Sequence, residues 1–193
     1  GLVRYEKLFR HDANDRLADG SAFHVMSNER DPKFFDVYRY DATSYERTRV
    51  YENTEGLDPY VVSQDGKWLA LGLANTTNDS DLFVVELATG KSTKVSQHEG
   101  QAQFTAQDFS PDGQWLYYTA NDQGEFAQLR RVKLGSWEHE PVRSADWDIV
   151  AAYFSKGGKY LAVATNVDGS TSVKLYDAAT GAEQPLPALP AGE

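Results

Sequence analysis

The chain has 193 residues, 40% of them hydrophobic and 12% aromatic, which is enough to pack a core, and its mean hydropathy is −0.58. It contains no apolar run near the roughly 20 residues that cross a bilayer as a helix, and a formal charge of −10 argues against nucleic acid as a partner, because phosphate binding takes clustered Lys and Arg. The lack of cysteine excludes disulfides, thiolate catalysis and Cys-based metal sites.

In chain order, the first turn signal is Asp19-Gly20, followed by the apolar run Phe23-His24-Val25-Met26, by Asn28, and by a strand over residues 36–41 that closes on Asp41-Ala42-Thr43. Residues 11–16 insert charge where an innermost strand is expected to end. The second unit opens with a strand over residues 59–63 and turns at Asp65-Gly66. It then runs through Trp68-Leu69-Ala70-Leu71 to Asn75, a strand over residues 81–86, Ala88-Thr89-Gly90 and an outer strand over residues 92–96. The third unit repeats this order with residues 105–110, Asp112-Gly113, Trp115-Leu116-Tyr117-Tyr118, Asn121 and residues 129–133. Its outer strand covers residues 140–144, where Pro141 suits an edge that needs no ladder N–H. The fourth has residues 150–155, the degraded turn Gly157-Gly158, Tyr160-Leu161-Ala162-Val163, Asn166, residues 172–177 and Ala179-Thr180-Gly181; residues 186–193 read as an exit strand and a linker.

The turns lie 46, 47 and 45 residues apart. A repeating unit of this length, with four short strands and no helical periodicity, predicts an all-β chain folded as a β-propeller with WD40-like blades of four antiparallel strands. About four blades are expected, over residues 1–56, 57–100, 101–146 and 147–193, as part of a larger propeller. The runs at 68–71 and 115–118 are apolar at nearly every position, as in strands covered on both faces.

A residue that recurs once per blade does blade work. Asp19, Asp65 and Asp112, with Gly20, Gly66, Gly113 and the Gly157-Gly158 pair, are therefore read as structural turns in which Asp accepts backbone N–H groups and Gly supplies a positive φ. His11, His24, His98 and His139 have no zinc-binding spacing, and Trp137-Glu138-His139-Glu140 reads as a surface hairpin. Asn78-Asp79-Ser80-Asp81 carries oxygen ligands without the spaced acids of a calcium loop and reads as a solvated turn. The same turn explains the sequons at Asn75 and Asn78. Arg47, Arg49, Arg130 and Arg131 are expected on strands facing solvent. Aromatic residues crowd the first unit at Phe34, Phe35, Tyr38, Tyr40, Tyr45, Tyr51 and Tyr60. They suit a ligand platform or packing between blades, and packing uses their bulk more directly. No catalytic residue, cofactor site or metal site is expected in these residues.

Ser110-Pro111-Asp112-Gly113-Gln114-Trp115-Leu116 and its variants at 63–69 and 155–161 resemble the repeat of TolB-type propellers and of prolyl oligopeptidase-family (S9) serine peptidases. The stretch from Phe154 to Gly169, with Leu175-Tyr176-Asp177-Ala178-Ala179-Thr180-Gly181 and Pro185-Leu186-Pro187, resembles bacterial members of the peptidase family. The resemblance implies a non-catalytic propeller that gates access of short peptides to an α/β-hydrolase domain of the same parent chain, the parent being a serine peptidase. No Gly-x-Ser-x-Gly nucleophile elbow occurs in the 193 residues. The paired Glu clamp of dipeptidyl members is not recognisable either: His139 separates Glu138 from Glu140, and Glu29 and Glu125 stand alone. The alternative is a stand-alone TolB-like module that binds a protein partner on one rim. An arc of four blades leaves apolar sheet faces open, which predicts a homodimer or higher oligomer unless the four close into a small ring. Nucleic acid and membrane are not expected as partners. The low mean hydropathy and the lack of a bilayer-length apolar run lead to the expectation of a soluble protein, in the cytoplasm or the periplasm, and the start Gly1-Leu2-Val3-Arg4 has no signal-peptide pattern.

Overall fold

The computed structural model describes residues 17–186, all of them in strands, turns or loops. Four antiparallel sheets follow one another along the chain. The first contains β1 (Ala22–Asp31), β2 (Phe34–Asp41) and β3 (Arg47–Tyr51); the second β4 (Asp58–Val62), β5 (Trp68–Thr76), β6 (Asp79–Glu86) and β7 (Lys91–Lys94). The third contains β8 (Phe104–Phe109), β9 (Trp115–Ala120), β10 (Gln128–Lys133) and β11 (His139–Arg143), and the fourth β12 (Ile149–Phe154), β13 (Tyr160–Val167), β14 (Ser170–Asp177) and β15 (Glu183–Gln184). Each sheet is a meander in chain order, the blade of a β-propeller. The first sheet has three strands among the described residues. The expected end of its innermost strand, at residues 11–16, and the exit linker at residues 187–193 lie outside them, as do the chain start and His11.

The period-2 alternation of a strand sends successive side chains to opposite faces, and here both faces are covered. On β5, Leu69 and Leu71 join Met26 and Val37 of the first sheet, whereas Ala70 lies in the cluster shared with Phe104, Leu116 and Tyr118 of the third. The pattern repeats one blade on, where Leu116 and Tyr118 face the second sheet and Tyr117 packs with Phe154 and Leu161 of the fourth. Three apolar layers between four sheets result. Each fully buried Leu, Val or Phe contributes about 1.5–3 kcal/mol from apolar burial. The first-unit aromatics divide accordingly: Phe35 and Tyr51 pack into the layer between the first two sheets, while Phe23 stacks on Tyr40 at 5.3 Å.

First strands of consecutive blades pack side by side, β4 against β8 and β8 against β12, which places them on the inside of the arc. Side chains stitch them together. Buried Gln107 accepts the Ala152 N–H at 3.1 Å and buried Asp108 accepts the Phe154 N–H at 2.9 Å.

Asn28, Asn75 and Asn166, which follow the apolar runs, lie inside strands β1, β5 and β13, because the hairpins keep pairing beyond them, through Asp31 with Phe34, Thr76 with Asp79 and Val167 with Ser170. The expectation that Arg130 and Arg131 face solvent needs correction. Arg130 does not face solvent: it forms a bidentate ion pair with Asp122 at 2.8 and 2.9 Å, with its guanidinium over the Tyr118 ring. Arg131 likewise lies 4.0 Å over the Trp115 ring and bonds Glu140. On flat sheet faces that pack against neighbours, a long cation finds an aromatic surface before it finds water.

Candidate functional site

The repeated turns join first to second strands and are built alike. Ser63, Ser110 and Ser155 each accept, through Oγ, the N–H of the residue that opens the next strand: Trp68 at 2.9 Å, Trp115 at 2.9 Å and Tyr160 at 3.0 Å. Their carbonyls accept the N–H of Gly66, Gly113 and Gly158 at 2.8, 2.8 and 2.7 Å, closing a tight turn. Asp19, Asp65 and Asp112 accept the N–H of Ser21, Lys67 and Gln114. The final Gly of each turn has φ between +67° and +71°, a region that residues with a Cβ avoid; Gly157, the first of its pair, does not.

These turns also touch around the arc. A Cβ on Gly66 would meet Leu17 at 3.0 Å, one on Gly113 would meet the Asp65 carboxylate at 3.2 Å, and one on Gly158 would meet the Pro111 ring at 2.7 Å. Each glycine thus admits the preceding blade's turn. Ala18 adds a backbone bond to the Gln64 carbonyl, 2.9 Å long, between the first two turns.

On the opposite rim, where second-to-third strand hairpins meet the crossovers between blades, polar networks replace turns. Buried Asp36 receives Arg30 at 2.7 and 2.9 Å and the Asn53 N–H at 2.9 Å, while Arg30 also donates to the Asn53 carbonyl. Burial alone would raise the Asp36 carboxyl, but the Arg30 and Asn53 hydrogen bonds outweigh it and hold it below the ordinary range. Asn53 in turn accepts the Gly56 and Leu57 N–H groups, fixing the crossover into the second blade.

Asp79 and Asp81 are not in a solvated turn. Asp81 accepts from Lys94 at 2.8 Å, Ser96 at 2.8 Å and Asn75 at 3.2 Å, and Asp79 accepts the Ala102 N–H of the crossover. Burial raises the Asp81 carboxyl, yet the Lys94, Asn75 and Ser96 hydrogen bonds bring it down to about 2. With these donors in place, the two carboxylates serve as a joint between blades.

Trp137-Glu138-His139-Glu140 is also more than a surface hairpin. Trp137 sits edge-on to Trp68 of the previous blade with centroids 6.0 Å apart, and His139 Nδ1 is 2.8 Å from the Tyr118 hydroxyl. Burial pushes the His139 imidazolium pKa down and the Tyr118 phenol up to about 12, so a neutral His–Tyr pair persists at pH 7. The spacing of these residues carried no sign of this, because both contacts reach elements distant in sequence.

On the first strands, Asp58, Thr105 and Val150 occupy one repeat position and are exposed on the inside of the arc, with Tyr60 beside them. Among the described residues, no group of three His, Asp or Glu side chains has the geometry of a metal site. The arrangement is a stitched scaffold with two rims and an inner wall.

Residues 18–191 match the family described as prolyl oligopeptidase, N-terminal beta-propeller domain. The chain belongs to that family. No curated protein sequence matches it. Among solved structures, it resembles TolB from Acinetobacter baumannii with a TM-score of 0.67 at 19% identity, covering 92% of this chain and 43% of that one. A prolyl endopeptidase structure aligns with a TM-score of 0.63 at 15% identity, over 93% of this chain and 28% of its own length. Prolyl oligopeptidase B from Galerina marginata, bound to a 35-residue substrate of hydrolysis and macrocyclization, gives 0.61 at 18% identity, over 93% and 27%. At such identities the likeness is one of fold. The prolyl oligopeptidase propeller family accounts for the meandering blades, and the chain spans under half the length of each of these neighbours.

Proposed function

We propose that these blades are the non-catalytic propeller portion of a prolyl oligopeptidase-type serine peptidase, where they restrict access of peptides to an α/β-hydrolase domain in the same parent protein. The family match over residues 18–191 carries this reading. The stitched first strands support it, since a size filter has to keep its opening fixed, and cross-blade bonds from Gln107 and Asp108 oppose separation of adjacent blades. The partners are then the linked hydrolase domain and extended peptide substrates.

The test uses the complete gene product, assayed against proline-containing peptides of increasing length and against a folded protein. Cleavage of short peptides only, abolished by substituting the nucleophilic serine, fits the proposal. A product without peptidase activity refutes it. The TolB likeness, at the highest TM-score of these comparisons, favours a second reading: a module that binds a protein partner on one rim. Capture of a partner by a gene product lacking hydrolase activity distinguishes the two.

A further inference from the structure

A similar cleft lies at the second and third junctions between adjacent blades, and the one at the third is the larger. Its floor is made by one repeat position at the start of the first strand, one on the second strand and that residue's cross-strand partner on the third. Between blades one and two these are Leu57, Leu71 and Phe83, which pack in one apolar layer. Between blades two and three they are Phe104, Tyr118 and Arg130, and a cleft of about 150 Å³ remains. Between blades three and four they are Ile149, Val163 and Lys174, and the cleft grows to about 250 Å³. Valine stands at 163, where the preceding blade has the bulkier tyrosine at 118.

The chemistry of the larger cleft also differs. In the smaller one both cations are neutralised, Arg130 by Asp122 and Lys94 by Asp81. In the larger one Arg143 lies 4.4 Å over the Tyr176 ring, donates to the carbonyls of Val142 and Gly181, and has no carboxylate partner among the described residues. Its Nε is buried without a hydrogen-bond partner. A buried, unsatisfied cationic donor is costly and uncommon in a protein interior. Among the described residues Lys174 pairs with Glu183 alone, at 3.2 Å and with both side chains more than half exposed, a bond weak enough to be exchanged for another. Trp147, 39% exposed, supplies an aromatic wall, and Asp146, the one acid in the lining, is exposed at the mouth.

We propose that the cleft between blades three and four binds a carboxylate carried on an aromatic or apolar body of amino-acid size. The carboxylate takes the place between Arg143 and Lys174, and the body lies against Trp147 over Val163. The volume falls just below the range of about 300–1,000 Å³ of drug-sized sites, which fits one residue-sized group. This site is independent of the peptidase reading.

The test titrates the 193-residue chain with N-acetylphenylalanine and, separately, with its amide, following tryptophan fluorescence. The expected result is a saturable change that disappears in Trp147→Phe, with the amide binding at least tenfold more weakly. Lys174→Met weakens binding about tenfold, and Val163→Tyr, which refills the cleft as Tyr118 does, abolishes it. A tetrapeptide ending in a phenylalanine carboxylate separates the sources: tighter binding than the single amino acid identifies a peptide C-terminus, weaker binding a free small acid. No saturation by about 10 mM N-acetylphenylalanine, or equal affinity for acid and amide, overturns the proposal. The comparison of acid with amide needs only the unaltered chain, so it stands whether or not a variant folds.

Discussion

If the repeated turns space the blades as well as reverse the chain, alanine at the four equivalent glycines has unequal effects despite equal backbone strain. Gly20, Gly66, Gly113 and Gly158 have φ of +71°, +70°, +67° and +68°, so alanine costs each about 1–2 kcal/mol from the left-handed conformation alone. A Cβ at Gly20 meets nothing within 4 Å, and Gly20→Ala stops at that figure. At Gly66 and Gly113 the neighbours are the far ends of the Leu17 and Asp65 side chains, at 3.0 and 3.2 Å, which turn aside at little further cost. At Gly158 the neighbour is the Pro111 ring at 2.7 and 2.8 Å, which cannot rotate away, and overpacking adds about 1–3 kcal/mol. Gly158→Ala should therefore lose about 2–5 kcal/mol, well beyond Gly20→Ala. Urea unfolding with unchanged m-values reads the difference directly. Equal losses at positions 20 and 158 would refute the idea that these turns set blade spacing.

Leu69→Ala, at a fully buried position, should cost about 2–5 kcal/mol in the same assay, whereas Lys91→Ala, exposed on the outer strand of the second sheet, should stay within about 0.5 kcal/mol. Asp108→Ala leaves the Phe154 N–H without its acceptor and should accelerate hydrogen exchange at that amide, an effect that Asp108→Asn largely rescues. The Asp81 carboxyl, lowered from 3.8 to about 2 by folding, contributes stability that is complete above about pH 4 and is lost as pH falls towards 2; Asp81→Asn should flatten that acid limb. On the fourth sheet, Tyr153, Ala162 and Leu175 form one cross-strand row and Ala151, Ala164 and Val173 another, on the face turned away from blade three. We expect the 193-residue chain to self-associate through this apolar face, with light scattering giving a dimer or larger species and Val173→Glu returning it to monomer.

What the sequence made legible follows from how strictly each position is constrained. A strand covered on both faces needs an unbroken apolar run, so Trp68-Leu69-Ala70-Leu71 and its relatives located the second strands, and the spacing of Asp-Gly turns located the blades. The rim networks escaped because several of their bonds join residues 17 to 24 apart, as in Asp36 with Asn53, Arg30 with Asn53 and Ser80 with Phe104, on elements joined only by packing. Arg130 is a different case: its partner Asp122 lies only eight residues earlier, in the loop between β9 and β10, whose path no local rule fixes. The widened cleft at Val163 became visible only when cross-strand registers aligned Leu71, Tyr118 and Val163 as one position.

The central claim is that these blades filter peptides for a hydrolase in the same protein, and the most direct test is the length dependence of cleavage by the complete gene product. The account predicts efficient hydrolysis of short proline-containing peptides, falling sharply with length and absent for a folded protein. Equal cleavage at all lengths, or no hydrolysis of any peptide, would contradict it.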